Sequence, residues 1–364
     1  MGNQPVLRSR LALVILLILT GGLFLDSCGT APAATTPPAI ASAIPTSTSG
    51  TPPEQPVRVI PLAGTLADKK SEVSSLAWYG DYLIVLPQYP SRFASQDDGQ
   101  VFAISKEDIL AFLDSTSDAP ITPQDIAFVA PGLAQQIAGF EGYEAIAFQD
   151  NQVFVTIESK PGRSMLGYLV AGEITPDLSM LRLDVTTLTE IPPQADLGNM
   201  TDETLLVAGD RLITIYEANG AVVNPAPVAR SFDLSLQPMD PVVPFPTVEY
   251  RITDATALDN TGRFWALNYF WPGDKTKLKP AADALAAKYG EGPTHARFTT
   301  IERLVEFQYT ASGISLVDTP PIQLELIDDD HSRNWEGVVR LDGIGFLLMT
   351  DTHPETILGF VPAP

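Results

Sequence analysis

Short apolar runs broken by turn residues recur along this chain, and five stretches share a fuller pattern. A carboxylate opens a run of small and apolar residues, a two-residue polar turn follows, and a second apolar run returns. The copies begin at Glu72, Glu144, Glu203, Asp254 and Glu336, and their turns are Gly80-Asp81, Asp150-Asn151, Gly209-Asp210, Asp259-Asn260 and Asp342-Gly343. Paired apolar runs around such dipeptides predict β-hairpins. Successive anchors lie 72, 59, 51 and 82 residues apart, which leaves room for further strands between hairpins. This pattern predicts an all-β fold, a β-propeller with five blades. A sixth blade would need a copy without its acid, hidden among the prolines after Tyr216.

The remaining apolar runs fill in the blades. Strands are predicted over 100–104, 125–130, 165–174, 180–185, 301–309, 314–327, 337–341, 346–350 and 356–361, with helices over 106–113 and 281–289. The second helix lies in an insertion over 270–300. The third blade is the least legible, because Pro225, Pro227, Pro238, Pro241, Pro244 and Pro246 interrupt it. The stretch 57–63 precedes the first anchor and has no blade of its own. It is expected to form the outer strand of the last blade, closing the ring with N- and C-terminal strands together and removing an exposed sheet edge.

A hairpin returns the residue about fourteen positions on to the side of its first residue, one strand spacing away. Glu144 is thereby expected beside Glu158, Glu203 beside Glu217, Asp254 beside Asn268 and Glu336 beside Asp351. Inner strands of a propeller converge on one axis, so Glu72, Glu144, Glu203, Asp254 and Glu336 are expected at one mouth. Carboxylates so gathered raise one another's pKa or recruit a cation, and calcium takes six to eight oxygen ligands. The alternative is structural: each acid binds backbone amides of the neighbouring blade.

A second polar cluster flanks the last hairpin. Asp328-Asp329-Asp330-His331-Ser332-Arg333-Asn334 leads into it, and Asp351-Thr352-His353 follows. Glu336, His331, Asp351 and His353 are the candidate acid–base groups. Arg333, Lys160 and Arg163 are the candidates to hold an anionic oxygen. The triple aspartate lacks the glycine and glutamate of an EF-hand loop, and no nucleophile elbow, zinc-protease helix or P-loop is present. Trp265, Tyr269, Phe270 and Trp271 form an aromatic cluster whose default role is packing.

The N-terminus places the chain. Arg8 and Arg10 precede an apolar run from Leu11 to Leu25, and Asp26-Ser27-Cys28 follows. This reads as an export signal over 1–27, resembling a bacterial lipoprotein box with Cys28 as the lipidated residue. Cys28 is the only cysteine, so no intramolecular disulfide forms. Residues 28–56 are rich in Ala, Thr, Pro and Ser and are expected to be an extended tether. The propeller domain is expected over 57–364, monomeric, extracytoplasmic and held at a membrane by its lipid. Lys and Arg number 22 against 44 Asp and Glu, a formal charge of −22, which disfavours nucleic acid and anionic membrane surfaces.

The stretches RITDATALDNTGRFWALNYF and NWEGVVRLDGIGFLLMTDTHPETILGFV resemble the esterase-like activity of phytase family of propellers. Asp254, Gly262, Arg263, Asn334, Glu336, Gly337 and Asp351 match its motif positions; Leu267-Asn268-Tyr269 departs from the acid and arginine often found there. The ring of acids is also similar to that of calcium-activated apyrase-type nucleotidases. Both resemblances imply a calcium-assisted hydrolase of small anionic phosphoesters or related esters. Against this stands a non-catalytic propeller that holds a ligand or partner on the same face, with calcium as a structural ion.

Overall fold

The computed structural model describes residues 51–363 apart from 69 and 94–97. The expected signal segment, Cys28 and most of the tether lie outside the described residues. Among the described residues, no helix is long and apolar enough to cross a membrane.

The fold is all-β and of the propeller type. Every one of the five repeats forms the inner hairpin of a four-strand antiparallel unit. The first unit is Val73–Tyr79, Tyr82–Pro87, Gln100–Ser105 and Gln124–Val129. The second is Phe140–Gln149, Gln152–Ser159, Leu166–Ile174 and Met180–Ile191. The third is Asp202–Ala208, Arg211–Tyr216, Val228–Asp233 and Pro238–Pro244. The fourth runs Arg251–Ala255, Arg263–Phe270, Ile301–Thr310 and Ile322–Leu324, with Gly313–Leu316 also on Ile301–Thr310. The last is Trp335–Leu341, Gly345–Thr350, Leu358–Pro362 and, from the other end of the chain, Arg58–Ile60. Each inner strand touches the next around a closed circuit.

Apolar burial explains why the units stand together. A β-sheet needs its apolar faces covered, and here each unit is covered by its two neighbours. Ile84 of the first unit packs in one cluster with Val153 of the second, and Phe154 of the second with Leu212 of the third. Ile213 joins Phe264 of the fourth, Leu267 joins Leu348 of the last, and Leu347 returns to Val85 of the first. The first two units are also hydrogen-bonded to each other, because Met180–Ile191 runs parallel to Gln124–Val129 with Met180 opposite Ala127.

The N-terminal segment does more than close the last unit. Arg58 pairs with Phe360 and Ile60 with Leu358, as the hydrophobic pattern of 57–63 predicts. Upstream, Glu54 and Gln55 pair in parallel with Gln323 and Leu324 of the fourth unit. The Glu54 carboxylate accepts from the backbone N–H groups of Thr294 and His295 and from the Thr294 hydroxyl, and lies 2.8 Å from His295 Nδ1. Ordered contacts therefore reach into the stretch assigned to the tether; Glu54, its only charge, has a buried partner set that composition does not reveal.

Other departures are local. The proline-bearing strand Pro238–Pro244 survives because it is the outermost of its sheet, where missing N–H donors cost no ladder bond. The stretch 314–327 splits in two. The insertion helix begins only at Ala284, capped by the Asp283 carboxylate, which accepts from Leu285 and Ala286 N–H.

Candidate functional site

The mouth of the axis is built on irregular strand pairing. Each inner hairpin slips register near its first strand's start: between Val73 and Ser75, Tyr143 and Ile146, Asp202 and Thr204, Ile252 and Ala255, and Trp335 and Gly337. The unpaired residues are Ser74, Glu144 with Ala145, Glu203, Thr253 with Asp254, and Glu336. A β-bulge re-aims a side chain that regular pairing would point elsewhere. Glu203 and Glu336 occupy equivalent bulges, and Glu144 begins a wider one. The expectation that all five acids share one register is therefore corrected. Ser74 takes the place in the first unit with Glu72 two residues ahead of it, and Asp254 is second in its bulge.

That one-residue difference removes Asp254 from the mouth. Its carboxylate accepts from Val338 N–H at 2.9 Å, Ala255 N–H at 2.8 Å and the Ser75 hydroxyl at 3.3 Å. It ties the fourth unit to the first and the last, the structural role weighed above. Burial holds its carboxyl well above the usual range despite these bonds.

Arg251, at the start of the same strand, stands among the remaining acids. Its Nε donates to Glu217 and its Nη2 to Glu336 Oε1 at 3.1 Å, with Glu203 at 3.6 Å. Its Nη1 donates to Asn334 Oδ1 at 3.2 Å. Asn334 Nδ2 in turn donates to Glu336 at 2.6 Å and Asp351 at 3.1 Å. Although burial alone opposes its charge, Glu203 and Glu336 outweigh this and raise the guanidinium pKa. No sequence pattern pointed to Arg251. The available signal was an arginine opening an apolar strand three residues before the fourth anchor.

Glu144 and Glu158 complete the funnel away from Arg251. Gln88 Nε2 donates to Glu144 at 3.1 Å, and the Thr201 hydroxyl to Glu158 at 3.3 Å. Burial first, then the Glu158 carboxylate, holds Glu144 well above its ordinary pKa. Burial and then Glu203 push Glu158 up to about 8. Glu203 itself rises by burial, is drawn back by Arg251, and comes to about 7. Glu336 stays well above the usual range through burial and Asp351, with Arg251 opposing. Together with Glu72, Tyr89 and Glu141 these groups line a cavity of about 400 Å³.

A second cavity of about 470 Å³ shares Arg251 and Asn334 with the funnel, and Tyr269, Trp271, Asp330 and His353 also line it. At the opposite mouth the inner strands enclose an apolar hollow lined by Leu76, Ile146, Leu205 and Val339, among others. The axis thus runs from an acidic end to an apolar one.

The other candidates divide. Glu336 and Asp351 line the funnel and His353 the neighbouring cavity. His331 is exposed and bound to Asp328, with Nδ1 2.9 Å from its Oδ1, and lines neither cavity. Arg333 is buried; its backbone N–H and Nε both donate to Glu302 at 2.8 Å, and its Nη2 to Glu325 O at 2.6 Å. It lines neither cavity, and these bonds give it a structural role, tying the approach of the last hairpin to the fourth unit. Lys160 and Arg163 lie exposed in the loop between the second and third strands of the second unit and line neither cavity. Glu72 is ion-paired with Arg92. Among the described residues, no three or more His, Cys, Asp or Glu side chains are arranged to hold a metal ion. With Asp254 withdrawn and a guanidinium among the remaining acids, the residues as placed do not fit the five-carboxylate calcium ring.

No family model matches the chain, and no curated protein matches it in sequence. Among solved structures it is similar to the soluble aldose sugar dehydrogenase of Escherichia coli, at 12% identity and TM-score 0.43, over 84% of this chain and 99% of that one. An α-L-arabinanase mutant of Cellvibrio cellulosa gives 11% identity and TM-score 0.44 over 80% and 90%. The GH32 β-fructofuranosidase BmSUC1 of Bombyx mori gives 9% and 0.47 over 84% and 61%. At these values no chemistry passes from them to this chain, and the propeller assignment rests on its own strand pairing.

Proposed function

We propose that this chain is an extracytoplasmic, lipid-anchored hydrolase on a five-bladed propeller, with its acid–base chemistry in the acidic funnel. One observation carries the reading: Glu158 and Glu203 face one cavity with pKa values of about 8 and about 7. Carboxyls separated from their usual range and poised around neutrality are suited to proton transfer. Protonated Glu158 gives its proton to the leaving oxygen of an ester. Ionised Glu203, steadied by Arg251, takes a proton from the attacking water. Arg251, the one arginine or lysine lining either cavity among the described residues, already serves three carboxylates and an amide, so an uncharged ester bond suits the site better than a phosphoester.

The test is a panel of short-chain nitrophenyl esters read against pH. Activity is expected to follow a bell between roughly neutral and mildly alkaline pH. Glu158→Gln and Glu203→Gln should each lose about 100-fold or more, the scale of general acid–base catalysis, while retaining the parent melting temperature within a few degrees. No turnover in the panel, or variants as active as the parent, would remove the proposal. The phosphoester and calcium reading implied by the family resemblance requires Arg251 to yield its place. A calcium-dependent rise in melting temperature, reversed by chelator and accompanied by phosphomonoester turnover, would select it instead.

A further inference from the structure

We infer that the cavity beside the funnel is a binding subsite for a positively charged ammonium group, with the Trp271 indole as its platform. This rests on the reading of the funnel as the reacting site for the choice of ligand, but the subsite is tested by binding alone.

The first observation is the placement of Trp271. It is 49% exposed, while the indoles of Trp265 and Trp335 are buried and Trp78 is half-buried at the other end of the axis, its Nε1 donating to Arg340 O. One side of the Trp271 ring lies against the backbone of Gly273, where a Cβ would collide with the ring. The main chain beneath it is turned by Asp274 N–H, which donates to Trp271 O at 2.9 Å. An indole held in this way, at the rim of a cavity, presents π surface to a ligand rather than to the core.

The second observation is which polar groups remain available. Each of the three Arg251 nitrogens already donates to a carboxylate or to Asn334, as described above, so its charge is largely met within the protein. Tyr269 and Ser332 bond each other, with their oxygens 3.0 Å apart, and Asp274 is paired with Lys277 at 3.1 Å. The exposed Asp330 carboxylate and the His353 ring face the same cavity. A carboxylate and an indole lining one cavity are the chemistry that recognises alkylammonium groups, and tryptophan is the best ring for it.

The third observation is the field. The cavity itself is lined by Asp274 and Asp330 with Arg251; it opens beside a funnel in which Arg251 faces several carboxyl groups, some of them held protonated by burial, on a chain of formal charge −22. A net excess of one sign of charge around a cleft concentrates counter-charged solutes. A neutral ring would gain the indole contact without this attraction, and an anion would be opposed by it. The favoured substrate is therefore an ester with a cationic head, its head on Trp271 and its ester bond directed into the funnel.

The probe is tetramethylammonium chloride, titrated into the intact protein while tryptophan emission is followed, with sodium chloride at matched ionic strength as control. Saturable quenching is expected, weakened several-fold by a rise from about 50 to 500 mM salt as the attraction is screened. Trp271→Leu should abolish it, and Asp330→Asn should weaken it about threefold or more, with unchanged melting temperatures. Neutral tert-butanol and glucose should give no saturable change. Equal response to a neutral probe, or none to tetramethylammonium in the parent, would overturn the subsite. Ammonium binding without ester turnover would leave the subsite standing and remove only the hydrolase reading.

Discussion

At the residue scale the mouth of the axis is decided by Arg251. Removing one member of a buried ion pair leaves its partners uncompensated, at a cost of about 3–5 kcal/mol. Arg251→Met should therefore lose about that much stability in denaturant melts at pH 8. The loss should shrink at pH 5.5, where the freed glutamates take up protons. An equal loss at both pH values would mean that Arg251 acts by packing. The parent should show a related dependence. Glu158 and Glu203 have folded-state pKa values raised to about 8 and about 7, so the folded state keeps protons that the unfolded chain releases. Their contribution is complete below the ordinary carboxylate range and is lost as pH rises through about 8. The melting temperature is expected to fall from pH 5.5 to 8.5, with a shallower fall in Glu158→Gln; a rise across that window would contradict the assignment. Four anchor acids were legible as members of this mouth because composition and spacing repeat. Asp254 and Arg251 were misread or missed because a single bulged residue decides which side chain faces the axis, and bulges leave no mark in hydrophobic periodicity.

At the element scale the five hairpins were legible because turn dipeptides and apolar runs coincide, as in Asp150-Asn151 between Phe140–Gln149 and Gln152–Ser159. The closing strand was legible because Arg58–Ile60 had no other place. The pairing of Glu54–Gln55 was not, since two residues between prolines carry no periodicity and their partners lie far along the chain. This segment makes a direct prediction. A protein beginning at Thr51 should melt several degrees above one beginning at Val57, and Glu54→Ala in the longer form should remove most of the difference. Identical melting temperatures would show that the Glu54 carboxylate and its Thr294 and His295 partners hold nothing of consequence.

For the whole molecule, the pairing of Arg58 with Phe360 has a consequence in time. The strand Arg58–Ile60 must wait for Leu358–Pro362, so the final unit cannot form until about 300 later residues have been made. Until then the first unit has one bare flank. Contacts of such wide sequence separation also slow folding. Joining 363 to 51 by a short linker and opening the chain at the exposed Gly209-Asp210 turn would turn this seam into a local hairpin. The permuted protein should reach the native state faster in stopped-flow refolding, with the same tryptophan environment at equilibrium. In the natural order, these two distant strands act as a clasp that fastens last.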